Sequence, residues 1–154
     1  LEEISKMTPL NLPQAKLKLT RKNDQIYVWC PVRKKKLIMT PEEWVRQHFI
    51  AFLTENLKIS IGRIVSELSI TYNNMSRRAD IVVTDEFGKP FIIVECKAPQ
   101  INLTDKTFFQ IAQYQNSIPA KILILTNGID HLMMNLKNKT SENSSNLKDL
   151  TNWL

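Results

Sequence analysis

Glu95 and Lys97 stand two residues apart at the end of the apolar run "FIIVECKAPQ" (91–100), with Cys96 between them. Alternate side chains of a β-strand share a face, so this spacing points a carboxylate and an ammonium the same way and Cys96 the other. A second apolar run, "ADIVVT" (79–84), carries Asp80 and precedes the first across the turn "DEFGK" (85–89). A turn centred between Phe87 and Gly88 sets Asp80 opposite Glu95, on the face that Lys97 shares. Two opposed carboxylates repel unless something neutralises them. A hard divalent cation does so: Mg²⁺ takes one or two carboxylates and fills its other positions with water and phosphate oxygens. The Cys96 backbone carbonyl is a further oxygen donor between the charged side chains. Lys97 suits polarising an attacking water or stabilising charge on a pentavalent phosphate. The set predicts metal-assisted chemistry on a phosphate group; its plain alternative is an ion-pair network.

The elements that must hold this set are readable around it. "TPEEWVRQHFIAFLTENL" (40–57) predicts a helix, with Thr40 as N-cap, Pro41 in the first turn and Glu43 completing a capping box. Trp44, Val45, His48, Phe49, Phe52 and Leu53 recur at helical spacing and form its buried stripe, which makes His48 a core-edge residue. "GRIVSELSITY" (62–72) reads as a strand, "NNMSRR" (73–78) as a basic loop, and 79–84 and 90–98 as the two strands of the hairpin. "DKTFFQIAQYQNSI" (105–118) predicts a second helix and "AKILILTNG" (120–128) a strand that arrives parallel through a crossover. "DHLMMNLKN" (130–138) fits a further strand, "KTSENSSN" (139–146) a polar loop and "LKDLTNWL" (147–154) a short docking helix. Before all of this, residues 1–39 read as an irregular arm with a small β unit, "QIYVWCPV" and "LIMT", joined by "RKKK" (33–36). Four consecutive cations are a solvated turn or a phosphate contact. The expected organisation is an arm (1–39), an α/β core with a mixed sheet in the order α-β-β-β-α-β (40–138), and a polar loop with a short helix (139–154).

Composition narrows the function. The 154 residues suffice for one domain with a proper core. A net charge of +6 suits an acidic partner such as nucleic acid. Cys30 and Cys96 are too few for a disulfide framework and have no zinc-ligand spacing, which fits a reducing cytoplasm. No apolar run approaches a membrane span of roughly 20 residues. With glycines only at 62, 88 and 128, neither a P-loop nor a dinucleotide fingerprint can be written. G-x-S-x-G and H-E-x-x-H are likewise absent.

"RRADIVV…KPFIIVECKAP" resembles the catalytic hairpin of the PD-(D/E)XK nuclease superfamily, with Ala79 in place of the eponymous proline. More closely, the chain resembles the N-terminal nuclease domain of type I restriction enzyme R subunits (HsdR-like). "TPEEWVRQHFI" is similar to the family's first helix, whose glutamate enters the site: Glu43, followed by Arg46, fits it, with Glu42 the adjacent alternative. "QIAQY" supplies Gln110 and Tyr114 as a Q-x-x-x-Y motif, and "ILTNG" matches the turn after the last core strand. The resemblance covers about residues 40 to 130. It implies a Mg²⁺-dependent DNA endonuclease, with Mn²⁺ as substitute, in which Asp80, Glu95, Glu43 and the Cys96 carbonyl hold the metal. It further implies that Lys97 assists the nucleophilic water and that Gln110 and Tyr114 order the site or touch the DNA backbone. Arg77 and Arg78, just before Asp80, are candidate phosphate contacts. DNA and restriction-modification subunits are the implied partners. Full R subunits carry an ATP-driven motor that this chain has neither the length nor the phosphate loop to form. The rival reading is a non-catalytic DNA-binding or assembly module that keeps the fold.

Overall fold

Apolar strands dictate the centre of the molecule. The computed structural model describes residues 7–72, 75–115, 120–135 and 146–154, with residues 70–72, 75–77 and 113–115 described by their backbone alone. The described residues form two separate sheets and the helices that flank them. Strands β1 (Leu19–Lys22), β2 (Gln25–Cys30) and β3 (Lys35–Ile38) form an antiparallel three-stranded sheet. Helix α1 (Pro41–Ala51) follows, and then β4 (Ile64–Tyr72), β5 (Met75–Thr84) and β6 (Pro90–Cys96) run as an antiparallel meander. Helix α2 (Asp105–Gln115) crosses to β7 (Ile122–Thr126), which pairs parallel with β6, and β8 (His131–Asn135) closes the five-stranded mixed sheet as an antiparallel edge. A short helix, α3 (Lys148–Trp153), ends the chain.

Strands β6 and β7 are buried on both faces, as the unbroken apolar runs at 91–94 and 122–125 require. One face packs Ile81, Val83, Ile92, Val94 and Cys96 against Val45 and Phe49 of α1, with Leu150 of α3 in the same core. The other packs Val82, Ile93, Leu123 and Leu125 against Phe108 and Ala112 of α2. Among the described residues no helix is long and apolar enough to cross a membrane.

Helix α1 starts as its residues dictate: the Glu43 N–H donates to Thr40 Oγ1 at 3.0 Å, and Pro41 occupies the first turn. The reciprocal half of the capping box does not form, because the Glu43 carboxylate is spent on Arg46 and Gln47 instead. The regular helix stops at Ala51 and relaxes into a π-helical turn, Phe52–Asn56, short of the expected Leu57. Thr54 Oγ1 donates back to the Ile50 carbonyl at 3.0 Å, the kind of side-chain competition that loosens a helix end. Two stretches depart from the sequence pattern. Residues 19–22 form an additional strand, and Met75–Arg78, expected as loop, extend β5 by pairing with Ser69–Tyr72. Backbone pairing at the hairpin's far end needs no apolar face, so the period gives no warning.

The "ILTNG" turn ties the arm to the sheet. Gly128 sits at φ +84, and a Cβ there would lie 2.7 Å from Leu10 Cδ2. Asn11 donates its N–H to the Gly128 carbonyl at 2.8 Å and offers its own carbonyl to His131 Nε2 at 3.1 Å. A carbonyl can only accept, so Nε2 carries the proton and Nδ1 takes the Thr126 hydroxyl at 2.7 Å. Burial depresses the His131 imidazole below 6.5, and burial does the same to His48, whose Nδ1 donates to the Trp44 carbonyl. Both rings fold neutral, so the unfolded chain binds more protons below 6.5. Their contribution is full above that pH and is lost as pH falls through the depressed folded values. Urea midpoints should fall on acidification across 6.5, and more shallowly in His131→Gln. A wild-type midpoint that holds steady or rises would refute this.

Candidate active site

Three elements meet where the central strands end: the first turns of α1, the middle of the β4–β5 pair, and the C-terminal end of β6. The hairpin register brings Ile81 opposite Val94, so Asp80 lies level with Glu95 as expected. The route differs. The turn Asp85–Lys89 is centred on Phe87, and Thr84 faces Pro90. Phe91 is then an extra residue on β6, a bulge that shifts the pairing by one before Val83 meets Ile92.

Register is kept, but the pleat is broken. Ile81 and Val83 face α1 and Val82 faces α2, so strict alternation would turn Ala79 toward α1; it lies in the α2-side core. In β4, Ser66 faces Ile81 and Leu68 faces Ala79, and Leu68 likewise packs on the α2 side where strict alternation from Ile64 would turn it away. Each strand therefore carries one residue out of phase at the same level, Asp80 in β5 and Glu67 in β4. Glu67 takes φ +55, the left-handed region that non-glycine residues seldom occupy. Asp80 thereby turns toward α1. The simple pleat expected it beside Glu95 on the face of Ile93, so that detail is corrected.

What the two residues turn toward is Arg46. Its Nη1 donates to Glu43 Oε1 at 2.6 Å and reaches Glu67 Oε1 at 3.5 Å; its Nη2 donates to Asp80 Oδ1 at 3.0 Å and Glu42 Oε1 at 3.2 Å. The second oxygen of Asp80 accepts the Cys96 N–H at 2.7 Å, and that of Glu43 accepts Gln47 Nε2 at 3.0 Å. Glu67 Oε2 pairs with Arg33, from the β2–β3 turn, at 2.7 Å. Arg46 and Glu43 are each only 6% exposed. Burial pulls the guanidinium's pKa down, but Glu43 and Asp80 outweigh it and hold Arg46 above its usual range. Burial, then Asp80, raises the Glu42 carboxyl against the lowering pull of Arg46 and Lys97. Burial and Asp80 also push the Cys96 thiol well up, so this cysteine is an inert core group.

The expected residues are thus distributed unevenly. Glu43 and Asp80 are joined through Arg46. Glu95 is half-buried on β6, and Lys97 follows the strand end, its N–H donating to the Thr126 carbonyl at 2.8 Å. Gln110 is exposed on α2. Arg78 is exposed and stands 3.9 Å from Glu67. The side chains of Tyr114 and Arg77 lie outside the described residues. Glu67 and Arg33 are site members that the strand pattern alone did not single out. With 73–78 read as a loop, the hairpin arithmetic sets Asp80 opposite Thr71; Glu67 comes to that level only because Met75–Arg78 pair as strand.

The donor chemistry is all carboxylate and carbonyl oxygen, which fits a hard divalent cation and no soft one. Among the described residues, no three acidic, histidine or cysteine side chains converge as a ready cage. The guanidinium stands where Glu43 and Asp80 meet.

Fold and site together define a mixed α/β domain with a carboxylate–guanidinium cluster at its central strand ends. The chain belongs to the family described as type I restriction enzyme R protein N terminus (HSDR_N), whose model matches residues 41–150. This gives it a restriction-related role and leaves β1–β3 outside the match. No curated protein matches it significantly.

Removing one partner of a buried ion cluster leaves the others uncompensated, a loss of about 3–5 kcal/mol. Arg46→Met should show a loss of that size in urea denaturation, with Arg46→Lys intermediate because it keeps the charge and loses the fork. A change in Arg46→Met below about 1 kcal/mol, the level of a surface pair, would mean that the cluster is not a buried constraint.

Proposed function

We propose that this domain is a metal-dependent DNA endonuclease with a PD-(D/E)XK-type core over residues 40–138, acting in the cytoplasm beside restriction-modification subunits. The observation that supports the reading is the hairpin offset that sets Ile81 opposite Val94, one residue before Asp80 and Glu95, with Glu43 joined to Asp80 through Arg46 and Lys97 two residues beyond Glu95. Asp80, Glu95, Glu43 and the Cys96 carbonyl would hold Mg²⁺ or Mn²⁺. The bound ion supplies Lewis acidity at a phosphoryl oxygen and a more acidic water. The Cys96 N–H fixes one oxygen of Asp80, and Gln47 fixes one of Glu43, so both carboxylates are pre-oriented. Lys97 places an ammonium where negative charge develops on the phosphate or where the attacking water must be oriented. Gln110, exposed on α2, and Tyr114 on the same helix would touch the DNA backbone, with Arg77 and Arg78 at the β5 entrance.

A second reading has an observation of its own. Arg46 already pairs with both Glu43 and Asp80, a contact that a non-catalytic DNA-binding or assembly module could keep for its fold.

Nicking of supercoiled plasmid separates the two. Wild type should nick with Mg²⁺ or Mn²⁺ and not in EDTA. Asp80→Asn and Lys97→Ala should each lose roughly 100-fold or more, the scale of removing one transition-state contact. Metal-dependent nicking that survives both substitutions would sink the site. DNA binding without nicking under either metal would establish the module instead. A second readout is independent of activity: Mn²⁺ at about 100 times its Kd should stabilise the wild type by about 2.7 kcal/mol, and Asp80→Asn by much less. No stabilisation of the wild type would indicate a plain ion-pair network.

A further inference from the structure

The basic excess of this chain is concentrated in one place. Residues 16–36 hold eight Lys and Arg against the single carboxylate of Asp24, a net charge of +7. The remaining 133 residues carry thirteen cations and fourteen carboxylates, a net charge of −1. The three-stranded sheet of β1–β3 therefore accounts for the whole positive charge of the molecule, and it lies outside the segment that matches the family.

Its two faces differ in kind. The inner face packs Ile26 and Val28 with Leu19, Leu37, Met39 and Trp44, which fixes the sheet against α1. On β2 the alternation then sends Gln25, Tyr27 and Trp29 outward. The register decides what flanks them. Trp29 faces Lys36 on one side, and its N–H donates to the Lys18 carbonyl at 2.9 Å on the other. Tyr27 faces Thr20 and Ile38, and Gln25 faces Lys22. The result is a pleated surface with two aromatic rings along its middle strand and lysines on both outer strands. Trp29 is 37% exposed and Ile38 54% exposed, large apolar exposures for a patch with this much charge. A separate hollow of about 160 Å³ lies between Trp29 and α1, bounded by Lys16, Lys18, Gln47, Ala51 and Glu55. At the end of β2, the turn to β3 brings Arg33 onto Glu67 of the carboxylate cluster, joining this surface to the candidate active site.

Rings interleaved with lysines on an exposed sheet match the two needs of an unpaired polynucleotide: a flat apolar partner for its bases and cations for its phosphates. Duplex DNA hides its base faces and would use only the lysines. An acidic peptide would leave the indole without a stacking partner. We propose that the outer face of β1–β3 binds single-stranded DNA, with a base stacked on Trp29, a second on Tyr27, and the backbone following Lys18, Lys22 and Lys36. This rests on the DNA reading of the domain and not on its catalysis.

The test is anisotropy titration of the full chain with labelled oligothymidylate in EDTA, where binding is read without cleavage, at several salt concentrations. Wild type should prefer the single strand to a duplex of equal length. Trp29→Ala should weaken single-strand binding roughly 5- to 100-fold, the range for losing one base–aromatic stack. Lys18→Gln with Lys36→Gln should reduce the steepness of the log–log salt dependence by about 0.7 per lysine. Affinities unchanged in both variants, or a duplex preference indifferent to Trp29→Ala, would overturn the inference. Because the lysines are exposed, their variants keep the test valid should Trp29→Ala fail to fold. A protein that binds here and never nicks plasmid leaves this surface standing and overturns only the cleavage reading. One that nicks while both variants bind as wild type overturns this surface alone.

Discussion

One buried guanidinium organises this molecule. An ion taken out of water costs several kcal/mol, and the cost is offset only where opposite charges and hydrogen bonds meet it with good geometry. Arg46 meets four carboxylates drawn from three elements: Glu42 and Glu43 of its own helix, Glu67 of β4 and Asp80 of β5. That requirement fixes the helix against the sheet more narrowly than Val45 and Phe49 do, because apolar contact tolerates sliding and a four-way ion cluster does not. Thr40 sets where the helix begins, and hence where Glu43 and Arg46 emerge. The fit is incomplete at one atom: among the described residues Arg46 Nε is buried with no acceptor, a loss of about 1–3 kcal/mol if left dry.

The sheet has adapted to the same requirement. Glu67 and Asp80 are out of phase with their strands at one level, and a left-handed non-glycine residue costs about 1–3 kcal/mol. Had only one strand slipped, every side chain beyond it would have faced the wrong core. Two slips at the same height cancel, so Leu68 and Ala79 return to the α2-side core together. The distortion is confined to two carboxylates, and both end on Arg46. The strain is held by an ion cluster, not by packing.

Much of this was legible in the sequence, and the illegible parts have physical causes. Helix α1, the β5–β6 hairpin and the parallel β7 follow from capping and apolar runs. The level placement of Asp80 and Glu95 was also reachable, although two offsets cancelled to give it: a turn centred on Phe87 and a bulge at Phe91. A bulge leaves no mark when the extra residue is an ordinary apolar one. Glu67 was missed because glutamate does not advertise a left-handed backbone as glycine or asparagine does. Arg46 was visible only as Glu43's neighbour in a helix. Its bond to Asp80 spans 34 residues and depends on both phase breaks. Strand Met75–Arg78 was hidden for the opposite reason: pairing at the hairpin's far end asks nothing of side-chain polarity.

The charge balance of the cluster bears on its chemistry. Glu42, Glu43, Glu67, Asp80 and Glu95 are five carboxylates, against Arg33, Arg46 and Lys97 nearby. Arg78, at the exposed rim, is screened by water and counts for little. Of these only Glu43 and Arg46 are fully buried, so the desolvation cost falls chiefly on one close pair. Arg46 holds Glu43 and Asp80 in place through its two terminal nitrogens. A purely structural ion cluster would gain by approaching neutrality, since each uncompensated buried charge raises the cost of folding. The other carboxylates on Arg46, Glu42, Glu67 and Asp80, are partly exposed, and contact with water lowers the cost of keeping them charged.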